Sequence, residues 1–252
     1  MPPLDALAIF AAGLAAGTVN VIVGSGSLIT FPTLLALGYP PVLANVSNTV
    51  GLVPGSVSGV VAYRRELTGQ RHRVLRLGTA SLAGGLTGAV LLLSLPHSVF
   101  KAAVPVLIAV AALLMAAQPK MSSGLERRGT RQAHGGGWLL AGVFLTGVYG
   151  GYFGAAQGVI LIALLAIFID DDLQRLNGTK NVLALLVNGM AGLFFIATTS
   201  ISWSVAGLIA AGSIIGGQVG GRYGRRLPAP LLRWVIVVVG LGVAAGLAVE
   251  WH

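Results

Sequence analysis

Asn20-Val21-Ile22-Val23-Gly24-Ser25-Gly26-Ser27-Leu28-Ile29-Thr30-Phe31-Pro32 lies inside an apolar run that extends from residue 4 to residue 37. At 1.5 Å per residue, a continuous helix of that length would reach about 51 Å, well beyond a hydrocarbon core of roughly 30 Å. The run must break inside the membrane, and the small residues Gly24-Ser25-Gly26-Ser27 mark the place. A second over-long run, 138 to 169, has its own interruption at Gly154-Ala155-Ala156-Gln157-Gly158. Six plain spans accompany them, at about 42–63, 75–94, 98–117, 177–199, 203–221 and 229–249.

The whole chain carries the same message. Of 252 residues, 55% are hydrophobic and only 9% charged, against roughly one quarter charged in soluble domains, and the mean hydropathy is +0.87. The formal charge of +9 comes from sixteen Lys and Arg gathered in short clusters between apolar runs. That distribution signals membrane topology, and no segment interleaves basic, polar and aromatic residues as a nucleic-acid face would. Without Cys there is no disulfide, thiolate metal site or cysteine nucleophile. His72, His97, His134 and His252 stand apart, with no metal-ligand spacing, so neither metal nor other cofactor is expected. Met1-Pro2-Pro3-Leu4-Asp5 lacks the basic start of a cleaved signal peptide, and the first apolar stretch is read as mature structure.

Sliding the second half over the first at an offset of about 130–132 aligns Gly17 with Gly147 and the two interruptions with each other. It also aligns Asn45-Val46-Ser47-Asn48-Thr49 with Asn177-Gly178-Thr179-Lys180-Asn181, Gly84 to Gly88 with Gly216 to Gly220, and Pro96 with Pro228. A duplication is implied: residues 1–117 form a first repeat and 136–252 a second, joined by a polar cytoplasmic linker, 118–135. The basic loops fall in non-equivalent places, Arg64, Arg65, Arg71, Arg73 and Arg76 in one half and Arg222, Arg225, Arg226 and Arg233 in the other. Under the positive-inside rule, equivalent loops then face opposite sides, as in an inverted-topology repeat. The expected fold is an all-α integral membrane protein of two inverted repeats, each a broken re-entrant helix pair plus three transmembrane helices. Lys101, near the outer end of its span, departs from the rule.

Backbone groups freed by a break are tolerated in a membrane only where protein or a watery cavity surrounds them. The half-helix that starts after Ser25, Gly26 and Ser27 offers amides and a positive dipole end suited to an anion, and the one after Gln157 does so more weakly. Asn45, Asn48 and Thr49 would waste transfer energy against lipid. Their counterparts Asn177, Lys180 and Asn181 include the one charge clearly inside an expected helix, and an intramembrane ammonium costs about 2.5–3.5 kcal/mol unless solvated or paired. Lys180 is the leading anion contact, against the alternative that it snorkels to the nearby Asp170–Asp172 end. Asn20 and Asn188 are weaker lining residues. Gly51/Gly55, Gly84/Gly88 and Gly217/Gly221 read as close helix packing, and the Arg clusters as orientation and lipid-headgroup anchors. No P-loop, nucleophile elbow or intramembrane carboxylate is present, so no catalytic residue is expected.

Gly24-Ser25-Gly26-Ser27-Leu28-Ile29-Thr30-Phe31-Pro32, then Leu37-Gly38-Tyr39-Pro40-Pro41 and Ala44-Asn45-Val46-Ser47-Asn48, resembles the sulfite exporter TauE/SafE family of membrane permeases. The second copy, ending in Leu176-Asn177-Gly178-Thr179-Lys180-Asn181, is similar to that family's repeat, so the resemblance covers nearly the whole chain. It implies multi-pass transport of small sulfur-containing anions such as sulfite, thiosulfate or organosulfonates across a prokaryotic inner membrane. Where the family tends to have a run of glycines, this chain has Ser25 and Ser27 in one half and Ala155-Ala156-Gln157 in the other. A coupling proton or sodium ion and a homo-oligomeric state are compatible partners. The competing readings are an anion channel, whose flux cannot be driven uphill, and an intramembrane lipid-modifying enzyme, for which Ser98 and Lys101 in a loop are a poor start.

Overall fold

A computed structural model of the chain describes residues 1–125 and 136–223, together with Trp234, Val237, Val238 and residues 241–246. The described secondary structure is helical: α1 (Pro3–Ile22), α2 (Ser27–Ala36), α3 (Pro41–Ala62), α4 (Arg71–Ser94), α5 (His97–Leu125), α6 (Gly137–Tyr152), α7 (Gln157–Phe168), α8 (Leu173–Thr198) and α9 (Trp203–Tyr223). Five of these, α1, α4, α5 over residues 97–117, α8 and α9 to Arg222, are long and apolar enough to cross a membrane. The chain is an all-α, multi-pass membrane protein. At 22 residues α3 has the length too, but its first turns carry Asn45, Ser47, Asn48 and Thr49. The sixth expected span, the basic residues Arg225, Arg226 and Arg233, and His252 fall wholly or largely outside the described residues. So does the linker from residue 126 to 135, whereas residues 118–125 continue α5.

Both interruptions are where the small residues put them. α1 stops after 20 residues, about 30 Å, and α2 returns for 10, about 15 Å. In the second half the arms are 16 and 12 residues, α6 and α7. Gly24 and Gly154 take positive φ values of +88° and +80°, which a residue without Cβ adopts at little cost. Ala156 enters the same region at φ 58°, where an L side chain costs roughly 1–2 kcal/mol. Pro41 pre-sets the first turn of α3, and the carboxylate of Asp172 caps α8 by accepting the Gln174 amide at 2.8 Å.

Small residues set the packing. Without a hydrophobic drive between helices in lipid, close backbone approach supplies the contact energy. A Cβ on Gly17 would come within 3 Å of the Ser213 backbone, and one on Gly84 or Gly88 would strike the α6 backbone at Phe144 or Val148. Gly51, Gly55, Gly217 and Gly221 likewise face α9 or α3 with no room for a side chain, as their spacing predicts. Polar bonds join the same seams: Thr18 donates to the Gly216 carbonyl at 3.0 Å and Ser213 to that of Gly51 at 3.1 Å.

These contacts also fix helix directions. Gly13 meets Ile209, Gly17 meets Ser213 and Gly220 meets Thr18, so α1 and α9 run parallel. The equivalent pair, α6 and α4, does the same, with Phe144 against Gly84 and Val148 against Gly88. α3 and α8 run antiparallel: Tyr63 bonds Asn177, Gly192 lies over Val50 and Val53, and the Ser202 amide bonds Ser47. The pairs α1 with α9 and α4 with α6 thus share one parallel arrangement.

Candidate functional site

The two interruptions touch. The Gly158 amide donates to the Gly24 carbonyl at 2.9 Å, and a Cβ built on either glycine would collide with the Cα of the other. Around this crossing the polar residues gather from four helices.

At the end of α1 the carbonyls of Asn20 and Val21 have no onward helical amide, because the chain turns away at Val23 and Gly24, whose amides both return to Val19. Such orphan carbonyls need donors. Lys180 supplies one: its Nζ lies 3.2 Å from the Val21 carbonyl and 3.5 Å from that of Asn20, and the residue is 1% exposed. It turns into the bundle instead of snorkelling, and among the described residues no carboxylate pairs with it. Asn181 also reaches the Val21 carbonyl, at 3.5 Å.

On the other side of the crossing Asn45 donates to the Tyr152 carbonyl, at the end of α6, at 3.0 Å. Asn48 accepts a short bond from Thr30 and donates to Ser27 at 3.1 Å. The Ser25 hydroxyl rests on the Met115 sulfur at 3.4 Å. The amides of Ser25, Gly26 and Ser27 have no backbone acceptor among the described residues, whereas at α7 the Gly158 amide is already taken by Gly24. The first break therefore leaves more amides unpaired. Two buried polar atoms nearby have no partner among the described residues: Oδ1 of Asn45 and Nε2 of Gln157. An orphaned buried amide costs about 1–3 kcal/mol.

Other expected residues are used differently. Thr49 bonds its own helix at the Asn45 carbonyl, and Asn177 donates to the Tyr63 hydroxyl at 2.8 Å. Asn20 contributes its carbonyl, and Asn188 is half-buried with no recorded side-chain bond.

Two clusters of unlike chemistry flank the crossing. At the Arg-rich end Gln70, 2% exposed, accepts from Thr179 at 2.7 Å and donates to the Arg175 carbonyl at 3.0 Å. Beside it Asp171 bridges Arg73 at 2.7 Å and Arg175 at 2.8 Å. Burial works against the Asp171 carboxylate, but the Arg73 hydrogen bond, the Asp172 amide and both guanidinium charges hold it below the usual carboxylate range. Around the second break Phe31, Phe100, Tyr149, Tyr152 and Phe153 interlock edge to face, with centroids 5.2 Å apart for Phe31 and Phe153. Tyr149 also donates to the Ala155 carbonyl at 2.6 Å, tying α6 to the second break. Neither cluster is readable from spacing, since each joins residues far apart in the chain.

The sulfite exporter TauE/SafE family model matches residues 9–247. The chain belongs to the TauE/SafE family. Relatives agree across their length. A probable membrane transporter protein of Haemophilus influenzae is 28% identical over 243 residues, covering 96% of this chain and 94% of the relative. A second, ORF9 of Sinorhizobium sp, is 28% identical over 244 residues, covering 96% and 92%. The probable membrane transporter protein YfcA of Escherichia coli K12 is 26% identical over 251 residues, covering 99% and 92%. No solved structure matches the chain significantly. A TauE/SafE chain is thus a member of a membrane transporter family, with a lipid environment and a small-molecule cargo.

Proposed function

We propose that this chain is a secondary transporter that moves a small sulfur-containing anion, such as sulfite, thiosulfate or an organosulfonate, across a prokaryotic inner membrane. Alternating access operates at the crossing of the two breaks, within inverted repeats 1–117 and 136–252 joined by the cytoplasmic linker 118–135. The Arg-rich end faces the cytoplasm.

The observation that carries this reading is the buried Lys180 amine beside the crossing, whose Nζ meets, among the described residues, only the Asn20 and Val21 carbonyls. An anion that enters beside it favours the charged ammonium and completes the pair. The amides of Ser25, Gly26 and Ser27 and the unpartnered Gln157 amide supply further donors, and Asn48 orders Ser27. Antiparallel α3 and α8 support inversion: equivalent helices that run opposite ways are related by an axis across them, in the membrane plane. A cargo anion that displaces the Val21 and Asn20 carbonyls from Lys180 frees the end of α1, which links occupancy to movement of the break.

The test is uptake of labelled sulfite, thiosulfate and taurine into proteoliposomes at matched protein density. Wild-type flux should saturate and run uphill against a coupling gradient, which a channel cannot do. Lys180→Met keeps the apolar stem and should abolish uptake while inserting normally, and Lys180→Arg should rescue it poorly because the planar guanidinium needs a different cradle. Wild-type rates for Lys180→Met would remove Lys180 from the site.

A further inference from the structure

The Arg cluster between α3 and α4 divides into two parts with different surroundings. Arg73 is committed to Asp171. Arg64 and Arg65 instead open, with Arg222 of α9, onto a cleft of about 870 Å³ between the C-terminal ends of α3 and α9. Its other lining residues are Ser58, Gln218 and Glu66 together with the helix backbone at Val61, Ala62 and Gly221. A Cβ on Gly221 would strike that of Ala62, so the floor of the cleft is a tight helix contact that side chains cannot fill.

Two helix C-termini present partial negative charge here, and among the described lining residues the guanidinium groups of Arg64, Arg65 and Arg222 outnumber the Glu66 carboxylate. Arg64, Arg65 and Arg222 are exposed at the cleft. Guanidinium forks bind tetrahedral oxyanions in bidentate fashion, and Ser58 and Gln218 add neutral donors. The cleft lies about one turn from the break, since Gly59 packs directly on Val21.

We propose that this cleft is a second anion site, separate from the crossing of the breaks, which holds a phosphate or sulfonate group between Arg64, Arg65 and Arg222. The oxyanion comes either from a lipid headgroup of the adjoining leaflet or from solution, and both sources use the same donors. The site does not depend on Lys180 meeting cargo.

The experiment is thermal unfolding of the full chain in neutral detergent, titrated with sulfate, inorganic phosphate or dihexanoyl phosphatidylglycerol. Chloride is the balancing anion and dihexanoyl phosphatidylcholine the control. Wild type should show a saturable rise in melting temperature with an anionic probe and none with phosphatidylcholine. R64Q/R65Q/R222Q should weaken the apparent affinity by about tenfold or more, Glu66→Gln should tighten it, and Arg71→Gln, at an exposed position outside the cleft lining, should leave it unchanged. Saturation by phosphatidylglycerol alone identifies the headgroup, and saturation by sulfate or phosphate the dissolved anion. If the triple variant does not fold, Glu66→Gln and Arg65→Gln, which keep most of the charge, must move the affinity in opposite directions. Wild-type affinity in the Arg variants, an equal loss in Arg71→Gln, or no saturable shift with any anion overturns the proposal.

Discussion

Gly24→Ala tests the crossing of the two breaks. Two separate costs apply at that position. The residue has φ +88°, which costs an L side chain roughly 1–2 kcal/mol, and its new Cβ would run into the Gly158 backbone, adding the roughly 1–3 kcal/mol typical of overpacking. The expected loss is therefore about 2–5 kcal/mol. Two controls separate the parts. Gly38 has nearly the same φ, +82°, but open space where a Cβ would go, so Gly38→Ala should show the backbone cost alone, about 1–2 kcal/mol. Gly158 is helical and meets the Gly24 Cα, so Gly158→Ala should show the collision alone, about 1–3 kcal/mol. Apparent melting temperatures in detergent should fall by about 2–4 °C per kcal/mol for a chain of this size. Gly24→Ala should therefore be the worst of the three and should also slow anion uptake. If it melts no lower than Gly38→Ala, the two breaks do not touch.

Asp171 should give the acid limb of stability a recognisable source. Its folded carboxylate titrates below the ordinary value near 3.9, so its contribution is present above that pH and disappears as pH falls through the folded value; Asp171→Asn should flatten that limb, seen by melting curves between about pH 6 and pH 3. In the native Cys-free background, single cysteines at Arg71 and His97 should label from opposite sides of the membrane, and labelling from one side would refute the assigned topology.

The breaks were legible because length conflicted with membrane thickness and glycine and serine were the only relief available. Expected span limits agree with α3, α8 and α9 within a few residues because apolar runs set them. The turns at Gly24 and Gly154 followed from residue type, but the left-handed Ala156 did not, since alanine carries no turn signal. For the candidate site, polar residues in apolar runs were sufficient to single out Asn45, Asn48, Gln157 and Lys180. What they bond was not. Lys180 meets Val21, far away in the chain, and only the fold brings a helix end there. Gln70 carried no signal of its own, and Thr179 was legible only as part of the polar cluster 177–181, without its bond to Gln70. The aspartate run, uninformative for orientation, contains the carboxylate that clasps two arginines.

The unlike clusters that flank the crossing have a kinetic consequence for the proposed transport cycle. One is held by Asp171 between two guanidinium groups, and such pairs weaken as ionic strength rises, with a screening length of about 8 Å under physiological conditions. The other is a stack of rings around Phe153, which ions scarcely affect but whose exposure carries a positive heat-capacity change. If the proposed alternating access opens each cluster in turn, its two half-reactions are governed by different variables. Added salt should then hasten opening at the arginine cluster, and opening at the aromatic cluster should have a curved temperature dependence. Whichever variable governs turnover would identify the cluster that limits it.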